Sequence, residues 1–253
     1  MKKLMKVFAL VLCLGLVVLS FAACGGKEVA DEKVLNIGTN AEFPPFDFID
    51  SELGVIGEFA GIDLDIINDI AISIGAKPVI NNMDFDGLLL ALQNGQVDCV
   101  ISGMTITEER KEQVNFSEPY YVATQVMIVP EGSEIAKASD MEGKRIGVID
   151  GYTGQVCVEE LGYDFSGYRK GTDAILDIVN GKLDVLVIDS ATAEAFIADN
   201  EGLAIIEDAE AFAAEEYGIA VKKDDAELLE AINAKIKEMK DNGKIDEICA
   251  KYN

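Results

Sequence analysis

Two stretches of this chain, GQVDCVIS at residues 95 to 102 and GKLDVLVI at residues 181 to 188, follow one layout: glycine, a variable residue, an apolar residue, aspartate, then a strand-like run. Each glycine suits the left-handed residue that ends a helix, and each aspartate suits the turn into its strand. A unit of this kind demands a helix before it and a buried strand after it, and the flanking sequence supplies both. VLNIGTN reads as a strand, GIDLDIINDIAISIG as an amphipathic helix stopped at Gly75, and KPVINNM as a strand. FDGLLLALQNG then reads as a helix stopped at Gly95, and VDCVISG as a strand. After EPYYVATQVMIV the order restarts, with KRIGVIDG as a strand, TGQVCVEELG and TDAILDIVNG as helices, KLDVLVID as a strand and SATAEAFIAD as a helix. Whether the paired octets record a duplication or the common grammar of αβ turns, the chain reads as an α/β protein built twice. Ser102 and Asp189 then stand at equivalent carboxyl ends of two strands, where open α/β sheets bind ligands.

The 253 residues are 49% hydrophobic, enough for a substantial core in one large domain or two lobes. Residues 1 to 23 form a targeting segment: basic MKKLMK, an apolar run from Val7 to Phe21 that is short for a membrane span, then Ala22 and Ala23. Small residues directly before Cys24 resemble a bacterial lipoprotein signal. In such a signal Cys24 becomes the lipid-bearing first residue of the mature chain, held by acyl groups such as palmitate; an ordinary secretory signal cut nearby is the alternative. Residues 24 to 33 read as a flexible tether, with glycine and charge but no apolar period. The formal charge of −25 grows more negative on export, because residues 1 to 23 carry Lys2, Lys3 and Lys6 and no acid. Such a charge repels nucleic acid phosphates, so no nucleic-acid partner is expected.

The chain has no histidine, which excludes a Ser-His-Asp triad, a Cys-His pair and any histidine-bearing metal site. Outside the signal and Cys24, three scattered cysteines remain, Cys99, Cys157 and Cys249, with no CxxC spacing and room for one disulfide at most. Cys99, inside a strand, reads as a small buried apolar residue. Asp63, Asp65 and Asp69 lack the sixth-position glycine and the twelfth-position glutamate of an EF-hand loop, so no metal is expected. Gly143-Lys144 has no phosphate-loop context, and no cofactor is called for.

In VDCVISGMTITEER, Arg110 falls in the first turn of a helix, where the helix dipole disfavours a cation. Its guanidinium can instead grip a carboxylate through two parallel hydrogen bonds. Thr105 and Thr107 are candidate caps for that helix, with Glu108 closing a capping box on Thr105, and Gly103 lets a ligand approach the backbone. Asp189 offers the opposite charge while also standing as an N-cap for the helix that follows. A carboxylate clamp facing an aspartate suits a zwitterion. Phe43 and Phe46 of EFPPF, and Phe85 at a helix entrance, are candidate covers for an aliphatic ligand stem.

The segments IGTNAEFPPF, GIDLDII, FDGLLLALQNGQVDCVISGMTITEERKEQVNFSEPYY, RIGVIDGYTGQ and GKLDVLVID, in this order, resemble the bacterial extracellular solute-binding proteins of family 3, the polar amino acid receptors of ABC importers. The resemblance spans residues 34 to 253. It implies a periplasmic-binding-protein type II fold: two α/β lobes joined by a two-crossing hinge, with the ligand cleft between them. It further implies a monomeric binding protein, not an enzyme, lipid-anchored to the outer face of the bacterial cytoplasmic membrane and serving ABC permease subunits. Carried over by position, Arg110 would hold the α-carboxylate of an amino acid with help from Gly103, Thr105 and Thr153. Ser102 and Asp189 would hold the α-ammonium, and Phe43 and Phe85 would sandwich the side chain. Asn40 stands where relatives selective for lysine, arginine or ornithine often carry aspartate, which argues against a cationic side chain, while Glu42 offers a substitute charge.

Lobe 1 is expected to comprise residues 34 to 121 plus 215 to 253, and lobe 2 residues 122 to 214, with crossings near Tyr120-Tyr121-Val122 and Glu216-Tyr217-Gly218. DDAELLEAINAKIKEMKDNG reads as a capped amphipathic helix with Leu228, Leu229, Ile232, Ile236 and Met239 facing lobe 1. Two rival readings use the same scaffold: a dehydratase-like enzyme, which would alter its ligand, and an amino-acid-sensing surface receptor uncoupled from import.

Overall fold

The computed structural model describes residues 33–252; the signal segment, Cys24 and the tether up to residue 32 lie outside them. The strands are β1 (Val34–Thr39), β2 (Glu42–Phe43), β3 (Asp47–Ile49), β4 (Phe59–Ala60), β5 (Lys77–Asn82), β6 (Cys99–Val100) and β7 (Asn115–Phe116). They continue with β8 (Tyr121–Pro130), β9 (Ile146–Ile149), β10 (Phe165–Tyr168), β11 (Val185–Asp189), β12 (Leu203–Ile206), β13 (Ala214–Tyr217) and β14 (Ala220–Val221). One sheet has the order β5-β1-β6-β14-β7 and a second the order β10-β9-β11-β8-β12, while β2, β3 and β4 form a small sheet of their own. The chain therefore folds as two α/β lobes. In each, the parallel pairs β1–β5 and β1–β6, or β9–β10 and β9–β11, are linked through helices.

The repeated octets occupy matching places. Gly95 and Gly181 both end helices with positive φ, at 70° and 68°. The aspartates do more than steer their own strands, as the sequence suggests, because each reaches across to the neighbouring parallel strand. Asp98 Oδ2 accepts from Asn36 N of β1 at 2.7 Å, and Asp184 Oδ2 accepts from Arg145 N, just before β9, at 2.8 Å. These bonds pair backbone donors that the ladder leaves free at the strand entry.

VDCVISG pairs as a strand only over Cys99–Val100. Beyond Ile101 the polar groups of Ser102 and Gly103 go to buried carboxylates, and the ladder stops there. The C-terminal helix Ala226–Asp241 starts at Asp225, whose Oδ1 accepts from Leu228 N, and it buries Ile232, Ile236 and Met239. A further helix, Lys244–Tyr252, follows Gly243 and packs with it against the helix Ile62–Ser73 of the first lobe. Two consecutive helices thus return the chain to the lobe where it began.

The chain crosses between the lobes in paired strands. Residues 121 to 124 of β8 run antiparallel to β13, with Tyr121 opposite Tyr217 and Val122 opposite Glu216. Phe46 is fully buried beneath this ribbon, 4.8 Å from the Tyr121 ring centroid and 5.2 Å from that of Tyr217. It is a core residue of the crossing and no cover for a ligand. No helix among the described residues is long and apolar enough to cross a membrane, and Cys99, Cys157 and Cys249 are free thiols.

Candidate functional site

The site forms where strand ends of the two sheets face each other. From the first lobe come Asn40, just past β1, and Ser102 and Gly103, just past β6. Ser102 Oγ accepts from Asn40 N at 3.0 Å and donates to Asp47 Oδ2 at 2.7 Å, and Thr39 Oγ1 donates to the same carboxylate oxygen. The hydroxyl has spent its hydrogen and one lone pair, so its remaining lone pair can accept from an ammonium. Gly103 has φ of 52°, and a Cβ there would lie 2.3 Å from Phe43 Cε1. Its N–H is committed to Asp63 Oδ2 at 2.6 Å, so what glycine contributes is close backbone approach.

Arg110 lies in the short helix Glu108–Gln113. Thr107, not Thr105, is its N-cap and accepts from Arg110 N at 3.2 Å. The capping box expected between Thr105 and Glu108 is replaced by a longer-range bond, with Thr105 Oγ1 donating to Glu215 Oε2 at 2.9 Å. The Arg110 guanidinium donates through Nη1 to Thr105 O at 2.8 Å and through Nη2 to Gly151 O, in the second lobe, at 2.9 Å. It also lies 5.4 Å from the Phe85 ring centroid. Burial draws the Arg110 pKa down, and the charges of Asp189 and Glu215 oppose that shift.

From the second lobe come Gly151 and Tyr152, between β9 and the helix Thr153–Glu160, Thr153, the first residue of that helix, and Asp189, the last residue of β11. Asp189 holds the N-cap position of the helix Ser190–Asp199, yet its side chain caps nothing there. Its Oδ1 accepts instead from the phenol of Tyr217 at 2.5 Å. Burial, then the charge of Glu215, pushes the Asp189 carboxyl up to about 7, while the bonds from Tyr217 and Gln125 pull against the rise. Asp63 is likewise pushed up to about 7 by burial, and Asp47 well above its ordinary range by burial and the charge of Asp63.

Glu215, on the returning strand, joins the lobes. Its Oε2 accepts from Thr105 of one lobe at 2.9 Å and from Thr153 of the other at 2.6 Å, with Gln125 Nε2 at 3.4 Å. Sequence reasoning did not find Glu215, Gln125, Asp47 or Tyr152. AEEY carries two acids in a segment without apolar rhythm, and the partners of Asp47 and Glu215 are distant in the chain.

Phe85, Ser102, Gly103, Thr105, Arg110, Tyr152, Thr153 and Asp189 line one cavity of about 10 Å³. Asn40 borders it through Ser102, and Phe43 through Gly103 and Tyr152. Phe43 and Phe85, expected to sandwich a ligand side chain, both pack against the ring of Tyr152, with centroids at 5.3 and 4.5 Å. A groove of about 740 Å³ opens alongside and shares Phe85, Arg110, Tyr152 and Thr153 with the cavity. Glu42, the substitute charge the sequence offered, is ion-paired with Lys170 at 2.6 Å.

The model of the bacterial extracellular solute-binding proteins, family 3, matches residues 35–253. The chain belongs to this family. Among family 3 relatives, a probable histidine-binding protein of Neisseria gonorrhoeae is 34% identical, over 92% of this chain and 91% of its own length. The arginine-binding extracellular protein ArtP of Bacillus subtilis is 32% identical over 98% of each chain. Among solved structures, the arginine-, lysine-, histidine-binding protein ArtJ of Geobacillus stearothermophilus aligns with a TM-score of 0.81 and 35% identity, covering 87% of this chain and 95% of its own. The two-lobe α/β architecture is thus shared with a solute-binding protein of family 3.

Proposed function

We propose that this protein captures a polar amino acid between its lobes outside the cytoplasm and delivers it to the permease of an ABC importer. One observation carries the reading: Arg110 and Asp189, opposite in charge and contributed by different lobes, line a single cavity. An α-carboxylate on Arg110 and an α-ammonium on Asp189 and Ser102 would satisfy each charge with its complement, and Thr105 and Thr153 would supply hydroxyls around the carboxylate. The relatives named for histidine and arginine binding support an amino acid as the ligand.

A ligand that touches both lobes binds the closed state more tightly and so populates it. In this reading residues 34–121 and 215–253 act as one lobe, residues 122–214 as the other, and the β8–β13 ribbon as the hinge. The protein works as a monomer anchored through lipid on Cys24 to the outer face of the membrane.

Titration calorimetry of the ligand-stripped full chain against the twenty amino acids, ornithine, citrulline and cystine tests the proposal. Binding of one or a few, recovered intact, is the expected result; no binding across the panel, or recovery of an altered compound, would overturn it.

A further inference from the structure

We infer that Tyr152 determines which amino-acid side chains the cleft accepts, an inference that rests on the receptor reading above and assigns a role within the same site. The ring stands edge-on to Phe43, at 88°, and at 61° to Phe85. Its phenol lies 3.5 Å from Asn40 Oδ1, whose amide nitrogen donates to Met83 O. With the ring in place, the space left among the charged and hydroxyl groups is about 10 Å³, room for about one water and for no amino acid.

Local helix energetics do not account for this tyrosine. Tyr152 holds the N-cap position of the helix Thr153–Glu160, where serine, threonine, aspartate or asparagine caps best, and its side chain makes no capping bond. The preceding residue aims it. Gly151 has φ of 80°, a left-handed turn that favours glycine, and its carbonyl accepts from Arg110 while the next side chain enters the aromatic slot.

The pair Gly151-Tyr152 therefore offers the first lobe an oxygen for Arg110, a flat apolar body for Phe43 and Phe85, and a hydroxyl for Asn40. A bound amino acid with a carboxylate, a long stem and a polar tip would offer the same three things in the same places. The two compete. A short side chain leaves the ring where it is and needs only the head-group end of the cavity to widen; a long one must expel the ring and forfeit its contacts. Tyr152 is 6% exposed, so the ring is buried among these contacts where it stands and leaving them uncovers both it and its partners.

The test is calorimetric titration of the full chain and of its Tyr152→Ala and Tyr152→Thr variants with the twenty amino acids, grouped by side-chain length. The threonine variant supplies a hydroxyl suited to capping at the helix start and guards against loss of folding. The affinity ratio of long side chains such as arginine, lysine and glutamine to short ones such as alanine and serine is expected to rise at least tenfold in both variants. Tyr152→Phe, which keeps the ring and loses only the contact with Asn40, is expected to move the ratio in the same direction but less than either truncation. A ratio unchanged in variants that melt cooperatively, or one that moves toward short side chains, would overturn the role of Tyr152 and leave the receptor reading standing. If all the proteins bind none of the twenty, the receptor reading falls and the inference with it.

Discussion

The phenol of Tyr217 donates a 2.5 Å hydrogen bond to Asp189 Oδ1, joining the strand that returns between the lobes to the acid at the end of β11. Tyr217 is fully buried and also stands opposite Tyr121 in the crossing ribbon. A single side chain thus touches both the hinge line and the charge that would hold an ammonium.

Tyr217→Phe removes the donor and leaves Asp189 Oδ1 buried without it, which lifts the carboxyl further above about 7. Amino-acid affinity near neutral pH should fall about tenfold, roughly 1.5 kcal/mol for a lost bond to a charged group. The deficit should shrink as the pH rises and Asp189 ionises regardless. Calorimetry at pH 6 and pH 8 checks this, and an equal loss at both would count against the mechanism.

Stability and affinity should respond to pH with opposite signs. Asp63 and Asp189 have folded values raised to about 7 from an ordinary 3.8, so the ligand-free fold holds more protons than the unfolded chain between those limits. Their contribution to stability is complete below about 3.8 and is lost as the pH rises through about 7. The melting temperature of the ligand-free protein should therefore increase from pH 8 to pH 5. Ligand affinity, which needs ionised Asp189, should fall about tenfold per unit below about 7 over the same range.

Arg110→Ala and Asp189→Ala should each weaken binding by about 3–5 kcal/mol, because each leaves the ligand's opposite charge buried without its partner. Calorimetry on variants shown by circular dichroism to be folded provides the measurement. Near-native affinity in folded Arg110→Ala would remove the carboxylate clamp.

Gly103→Ala should lower stability by about 2–4 kcal/mol, since a left-handed backbone and contact with the Phe43 ring are penalised together. Gly75→Ala, with φ of 67° and open space around its Cβ position, should cost only about 1–2 kcal/mol. Chemical denaturation of the two variants separates the ring contact from the backbone term. Equal losses would mean that Phe43 yields freely.

Periodicity carried most of the fold into view, because helices such as Ile62–Ser73 and Ala226–Asp241 and strands such as β1, β9 and β11 bury regular apolar faces. Strand β10, FSGY, and strand β13, AEEY, escaped notice because neither alternates apolar and polar residues; each pairs because its neighbour presents a free edge. At the site, Ser102, Arg110 and Asp189 were legible as residues whose chemistry exceeds what their local elements need. Glu215 and Asp47 were not, since Glu215 meets Thr105 across 110 residues of chain and Asp47 meets Ser102 across 55. Tyr152 did leave a trace, an aromatic at a helix cap, which becomes readable once the caps of a helix are asked to justify themselves.

The opposition of Tyr121 and Tyr217 has a topological consequence. Everything between them leaves the first lobe and comes back through one doorway two strands wide, with Cα atoms facing each other at about 5 Å. In connectivity the second sheet is a cassette inserted into a loop of the first, and its two ends nearly meet. An exchange of this segment between relatives would make both covalent joins in one short ribbon, away from the C-terminal helices, and would have to match only the contacts across the cleft besides, such as Arg110 with Gly151.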